Sequence, residues 1–220
     1  MKPSATITAI LCVHDDPAWL PQALTSVVGQ TRPADEILVV KSAQTPDMVD
    51  GLAKQFGAIA VQQEAPGLAA ARNFGIFLAQ GNMVAFLDCD DVWEKDKTAY
   101  QLHHLEAANL DAVTGQLLRF ADGAGEGGAY SAAHFTETVP ALTPGGLLVK
   151  KSVFDTVGLF DTRYRIACDH QWFMRLTAGP VQWEKMDNLV LRKRIHPGNL
   201  SHRTAEYRRE IMEILRERQI

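Results

Sequence analysis

Apolar and polar positions fall into blocks along the first 110 or so residues. TITAILCV (Thr6–Val13) is an unbroken apolar, β-rich run, the pattern of a strand covered on both faces. PAWLPQALTSVVGQT then spaces Trp19, Leu20, Ala23, Leu24, Val27 and Val28 along one helix face. DEILVV predicts a second strand. TPDMVDGLAKQFG predicts a second helix, with Thr45 as N-cap and Pro46 in its first turn. AIAVQQ predicts a third strand, and the alanine-rich GLAAARNFGIFLAQG a helix closed by Gly81. MVAFLD predicts a fourth strand, KDKTAYQLHHLEAAN another helix, and DAVTGQLLRF follows.

Strand–helix alternation of this kind predicts an α/β fold with a mostly parallel, doubly wound sheet and helices on both faces. Ligands of such sheets bind beyond the carboxyl ends of the strands, near a switch in strand order. FLDCDDVW puts Asp88, Asp90 and Asp91 at such an end. The second half reads differently. ADGAGEGGAYSAA predicts a mobile loop, GGLLVKKSVFDTVGLFD a short strand, a helix and a turn, and DHQWFMRLTAG a helix with Trp172, Phe173 and Leu176 on one side. VQWEKMDNLVLRKRIH suggests a strand pair. TAEYRREIMEILRERQ predicts an amphipathic terminal helix with Tyr207, Ile211, Ile214 and Leu215 in one stripe flanked by arginines. Packing on the domain is the default role of that stripe. Pairing in a homodimer or lying on an anionic membrane surface are the alternatives.

Composition narrows the classes. The chain has 220 residues, 46% hydrophobic and 22% charged, ordinary for a soluble globular protein. The net charge of −4 gives no basic field for nucleic acid. No apolar run approaches the roughly 18 residues that span a bilayer. The N-terminal segment reads as a first strand, not a signal peptide, because acids follow it without a small-residue cleavage site. Cys12, Cys89 and Cys168 lie far apart, without the spacing of a disulfide framework or structural zinc site. A cytoplasmic location is the default expectation.

Carboxylates crowded at the end of a buried strand repel one another and lose hydration. A hard divalent cation such as Mg²⁺ or Mn²⁺ relieves both costs. A helix cap by Asp90 or Asp91 is the alternative for these acids taken alone. The preceding helix changes the balance. Ala65–Trp93, APGLAAARNFGIFLAQGNMVAFLDCDDVW, resembles the signature of family 2 glycosyltransferases of the GT-A fold, through Gly67, Ala71, Arg72, Asn73, Gly75, Gly81, Phe86, Leu87, Asp88, Asp90, Asp91 and Trp93. LPQALTSVVGQT, DEILVV, GGLLVKKSVFDTVGLFD and RKRIHPGNLSH resemble further segments in order, so the likeness runs from about Thr6 to His202.

The resemblance implies a Rossmann-like GT-A sheet in a single domain of residues 1–220. Residues 1–115 would bind the nucleotide-sugar, 116–202 the acceptor, and 203–220 form the terminal helix. It implies inverting transfer of a sugar, with Mn²⁺ or Mg²⁺ at the DxD motif, from a nucleotide-sugar, by family a UDP-sugar, to a sugar, lipid-linked or protein acceptor. By position Asp90 and His196 would ligate the metal. Asp88, Arg72 and Arg194 would contact the donor, while Asp91 supports the loop. Asp169 would be the catalytic base, and Trp172 would face the acceptor. For Arg72 the alternative is an ion pair holding the acidic loop; for Asp169, an N-cap; for Trp172, the core.

Three departures from the family pattern stand out. Relatives carry acids where this chain has Lys41, Ser42 and Ala43, so the donor base is left open, with Ser42 a hydrogen-bonding candidate. Lys41 could meet a phosphate or point to water. In CVHDDPAWL, His14 could stack on a base and Asp15 could compensate for the lost acids. Cys168 replaces the glutamate that usually precedes the base. The alternative to an enzyme is a catalytically impaired, glycosyltransferase-like module that binds carbohydrate or a partner.

Overall fold

The computed structural model describes residues 4–121, 135–200 and 203–217. Its strands are β1 (Ile7–Val13), β2 (Glu36–Lys41), β3 (Ile59–Gln62), β4 (Met83–Asp88), β5 (Val92–Trp93), β6 (Ala112–Ala121), β7 (Val139–Pro140), β8 (Leu147–Lys150) and β9 (Trp183–Ile195). Its helices are α1 (Leu20–Val28), α2 (Met48–Gln55), α3 (Leu68–Leu78), α4 (Lys97–Ala107), α5 (Val153–Val157), α6 (Cys168–Ala178) and α7 (Thr204–Glu217). They build one sheet in the order β3-β2-β1-β4-β8-β6-β9-β5, with β7 on β6.

The chain runs β1 to β2 to β3 outward, then returns to place β4 on the other side of β1. All these pairings are parallel. The strand order therefore switches between β2 and β4, with β1 at the pivot. Pairing of Cys12 with Asp88 and of Val13 with Lys41 brings three strand ends to one edge. That edge is the place where such sheets bind ligands. Beyond β4 the sheet changes character. β8 is antiparallel to β4, β6 antiparallel to β8, β9 parallel to β6, and β5 antiparallel to β9.

β1 is buried along its whole length, and its alternate residues feed two cores, as the two-residue period of a strand requires. Ile7, Ala9, Leu11 and Val13 join Leu20, Leu24, Val27 and Val49 beneath α1 and α2. Ile10 and Cys12 join Ile76, Phe86, Trp172, Leu176 and Ile214 on the α3, α6 and α7 side. α3 lies tight on the sheet at Gly75, where an added Cβ would come within 2.5 Å of Ile10.

Several local expectations are corrected. VQWEKMDNLVLRKRIH forms the single strand β9 rather than a pair. It spans register shifts opposite Thr114, Gln116 and Leu117, which break the alternation that a sequence pattern relies on. Asp47, not Thr45, is the N-cap of α2, because the Thr45 hydroxyl donates instead to the Val13 carbonyl at 3.1 Å. Ala79, not Gly81, ends α3. Gly81 serves close approach, since a Cβ there would lie 2.6 Å from the Thr6 carbonyl oxygen. The stripe of α7 is largely used inside the chain. Ile214 is buried and Tyr207 and Ile211 pack in the α6 core, while Leu215 stays 43% exposed. Most of the glycine-rich stretch, residues 122–133, lies outside the described residues. Among the described residues no helix is long and apolar enough to cross a membrane.

Candidate active site

The acids follow from the end of β4. A tight turn, with the Asp91 N–H donating to the Asp88 carbonyl at 3.0 Å, folds residues 88–91 back into β5. One carboxylate oxygen each from Asp88, Asp90 and Asp91 lies within 4.8 Å of the others. Each acid has a different partner, and most partners come from β9 or the segment after it.

Asp91 is buried. It accepts the Arg194 N–H at 2.8 Å and lies 3.4 Å from the Lys193 ammonium. Burial, with the neighbouring Asp90 and Asp88 charges, pushes its carboxyl up to about 7 against the pull of Lys193. The Asp91 charge in turn keeps Lys193 firmly protonated. Asp90 is more open than Asp91, and its Oδ2 lies 2.9 Å from His196 Nε2 and 3.3 Å from Asn199 Nδ2. Asn199 Oδ1 accepts the His196 N–H at 2.7 Å, and the Trp19 ring packs 4.4 Å from the imidazole. The imidazole is thus fixed on the acid loop. A crowded oxygen set with one imidazole is a donor set that a hard divalent cation fits.

Asp88 leads to the other half of the site. Arg72, wholly buried on α3, donates from Nη2 to Asp88 at 2.9 Å and from Nη1 to Asp169. Its Nε has no partner among the described residues. Burial works to raise the Asp88 carboxyl, but the Arg72 and Lys193 charges win and hold it below its ordinary value. Asp169 goes the other way, because burial outweighs the Arg72 charge and raises it above its ordinary value. The adjacent motif residue Asn73 clamps the Phe160 backbone. Its Nδ2 donates to the carbonyl at 2.8 Å and its Oδ1 accepts the N–H at 2.9 Å.

Asp169 lies in the first turn of α6, where the helix dipole favours a carboxylate. It is not the N-cap, which is Ala167. The other positions expected from sequence divide. His14 and Ser42 line a cleft of about 100 Å³, with Gln63 and Gly67, beyond the ends of β1, β2 and β3. The Ser42 hydroxyl donates to the His14 carbonyl at 2.5 Å, which joins the two strand ends. Lys41 neither points to water nor is free for a phosphate, because its ammonium lies 2.6 Å from Asp50. Asp15 is exposed and accepts the Asp16 N–H at 2.9 Å.

Two assignments are corrected. Trp172 does not face an acceptor. It is wholly buried between Phe154 and Phe160, and its indole N–H donates to the Gly158 carbonyl at 2.9 Å. Arg194 does not present its fork to a donor. It is wholly buried, donates from Nε to the Asp90 carbonyl at 2.7 Å and from Nη2 to Gln22, and lies over the Trp19 and Phe120 rings. It braces the acid loop. Lys193, Asn199 and Trp19 were not picked out from sequence. Lys193 and Asn199 both lie inside the quoted RKRIHPGNLSH segment, and Trp19 shows in the sequence only on the apolar face of the first helix.

The model of the family described as "Glycosyl transferase family 2" matches residues 8–177. The chain belongs to family 2 of the glycosyltransferases. An uncharacterized glycosyltransferase of Rickettsia conorii is 37% identical over 109 residues, 47% of this chain and 18% of that protein. This family member therefore matches only about a fifth of that relative's length. Among solved structures, glucosyl-3-phosphoglycerate synthase from Mycobacterium tuberculosis aligns with a TM-score of 0.70 at 16% identity, covering 99% of this chain and 79% of that one. S. aureus TarS, residues 1–349, aligns with a TM-score of 0.68 at 18% identity over 88% of this chain and 60% of that one. Both share the GT-A fold. The family match stops before β9 and α7, so Lys193, His196 and Asn199 lie beyond it.

Proposed function

We propose that this chain transfers a sugar from a nucleotide-sugar to an acceptor hydroxyl, with inversion and with Mn²⁺ or Mg²⁺. The observation that carries the reading is Arg72, whose two Nη atoms join Asp88 of the acid loop to Asp169 of α6. One guanidinium thus spans from the donor acids to the candidate base. Asp169 takes the acceptor hydroxyl proton as the oxygen attacks the anomeric carbon. The bond from that carbon to the diphosphate oxygen breaks, and its electron pair leaves with the diphosphate. A carboxyl raised by burial suits the proton-accepting task better than an ordinary aspartate. A cation held by Asp90 and His196, with Asp88 beside them, would offset charge on the departing diphosphate.

The likeness to structures holding Mn²⁺ and UDP, or UDP-GlcNAc, supports a UDP-sugar donor. Residues 1–115 are the donor half and 116–202 the acceptor half. The acceptor is a sugar, a lipid-linked sugar or a protein. One feature favours the alternative, a binding module: Lys41 and Ser42 are tied into the protein, so the end of β2 offers the donor base no carboxylate. Incubation with a panel of nucleotide-sugars and Mn²⁺ separates the readings. Nucleoside diphosphate release that Asp169→Asn cuts by about a hundred-fold or more supports transfer, in line with the contribution of general-base catalysis. Release at the same rate by that variant sinks the assigned base.

A further inference from the structure

α6 carries Asp169, yet its own sequence gives it no N-terminal cap. Its N-cap is Ala167, among the poorest residues for that position, and it makes no side-chain cap hydrogen bond. Glu210 of α7, 43 residues past Ala167, instead holds the segment that leads into the helix. Its Oε1 accepts the Arg165 N–H at 2.9 Å, and its Oε2 accepts those of Ile166 at 3.0 Å and Ala167 at 2.7 Å. The Glu210 residue is 5% exposed. A buried carboxylate that takes three amides just before a helix is held by both charge-assisted hydrogen bonding and the helix dipole.

The rest of α7 fixes that carboxylate in place. Ile214 is buried in the same core as Ala167, Cys168 and Trp172, with Tyr207 and Ile211 packed against it. The Tyr207 ring stands edge-on to His170, the residue after Asp169, at 6.5 Å. Glu217 accepts from Arg163 Nη1 at 2.7 Å and from the Tyr164 hydroxyl at 3.1 Å, which anchors the segment leading into α6. The hydrogen bonds from Glu210 and Glu217 go to residues 163–167 of the acceptor half.

We infer that Glu210 is a positioning residue for Asp169, and that α7 is a working part of the acceptor half. Glu210 touches no reacting atom. It sets where the first turn of α6 lies, and therefore where the Asp169 carboxylate meets an incoming hydroxyl. This rests on the proposed role of Asp169 as base. The device lies outside the stretch that the family model matches, which ends at residue 177.

The test uses the full chain and two readouts. Glu210→Gln is the main variant, because its single carbonyl keeps at most part of the three-amide set while the fold stays buried and packed. Glu210→Ala is the harsher one. Hydrogen exchange of the 163–172 segment reports the device without needing activity. Faster exchange there in Glu210→Gln, with β1–β4 unchanged, is the expected result; unchanged exchange overturns the claimed hold on this segment. On an active donor–acceptor pair, kcat falls about ten-fold while the donor KM holds, as a small misplacement of a reacting group dictates. Faster exchange with unaltered kcat overturns the link to Asp169. A rise in donor KM without loss of kcat also overturns it. Full turnover in Asp169→Asn removes the base on which the inference depends, a separate failure that the exchange data cannot mimic.

Discussion

His196 Nε2 lies 2.9 Å from Asp90 Oδ2, which closes the strand that ends in the acids onto the segment just after the last strand. Asn199 holds both partners, accepting from the His196 backbone and donating to Asp90. The imidazole is therefore presented to the acid loop in one orientation. His196→Ala is expected to weaken Mn²⁺ binding by about ten- to a hundred-fold, the usual cost of losing a ligand or its support. Asn199→Ala is expected to cost less, in the same direction. Calorimetric titration of Mn²⁺ with a nucleoside diphosphate present measures both, and equal affinity in His196→Ala contradicts the assignment.

Arg72 has two acids and no exposure. Arg72→Met leaves Asp88 and Asp169 without their shared cation, and breaking a buried pair from one side costs about 3–5 kcal/mol. Arg72→Lys keeps the charge but cannot reach both acids through a fork, so it recovers only part of the stability. Urea unfolding of the three proteins gives the ranking. Wild-type stability in Arg72→Met would show that the bridge contributes nothing.

Lys97 is wholly buried on α4, with its ammonium donating to Gln101 Oε1 at 2.6 Å and the Leu147 carbonyl at 3.1 Å, over the Trp93 ring. Burial draws its pKa down to about 7. The folded value lies below the unfolded one, so the unfolded chain holds the extra proton between them. Stability from this group rises as pH climbs from about 7 towards 10, by up to about 1.4 kcal/mol per pH unit. Lys97→Met should remove that slope. Unfolding midpoints of both proteins between pH 7 and 8.5 test it, and parallel pH curves would refute it.

Trp172 fills a wholly buried site between two phenylalanine rings. Trp172→Ala is expected to lower stability by about 3–5 kcal/mol, the range for emptying an aromatic site. Where the variant remains folded, nucleotide binding should persist, since the ring packs on Phe154, Phe160 and Phe173. A rise in acceptor KM alone, at full stability, would return Trp172 to the acceptor surface.

The alternating half of the chain was legible because period and composition agree there. β1 to β4 and α1 to α4 lie where runs such as TITAILCV and MVAFLD predict them. The Asp88–Asp90–Asp91 cluster was legible from FLDCDDVW, and its closeness to His196 followed only from the resemblance. Other features depend on long-range packing that a local pattern does not carry. Arg194 reads by resemblance as a donor contact, yet it is buried, with its guanidinium over the Trp19 ring. Lys41 reads as a free cation, yet α2 brings Asp50 to it. Glu210 reads as one surface acid of an amphipathic helix, and its three amides belong to a segment more than 40 residues earlier.

The central claim is a cation-dependent nucleotide site at Asp90. It is tested most directly by titrating UDP, GDP, dTDP, CDP and ADP into the protein with and without Mn²⁺, for wild type and Asp90→Ala. Binding of at least one nucleotide that requires Mn²⁺ and disappears in Asp90→Ala is the predicted result. Binding that is indifferent to the metal and to Asp90→Ala, or no binding of any of the five, contradicts it.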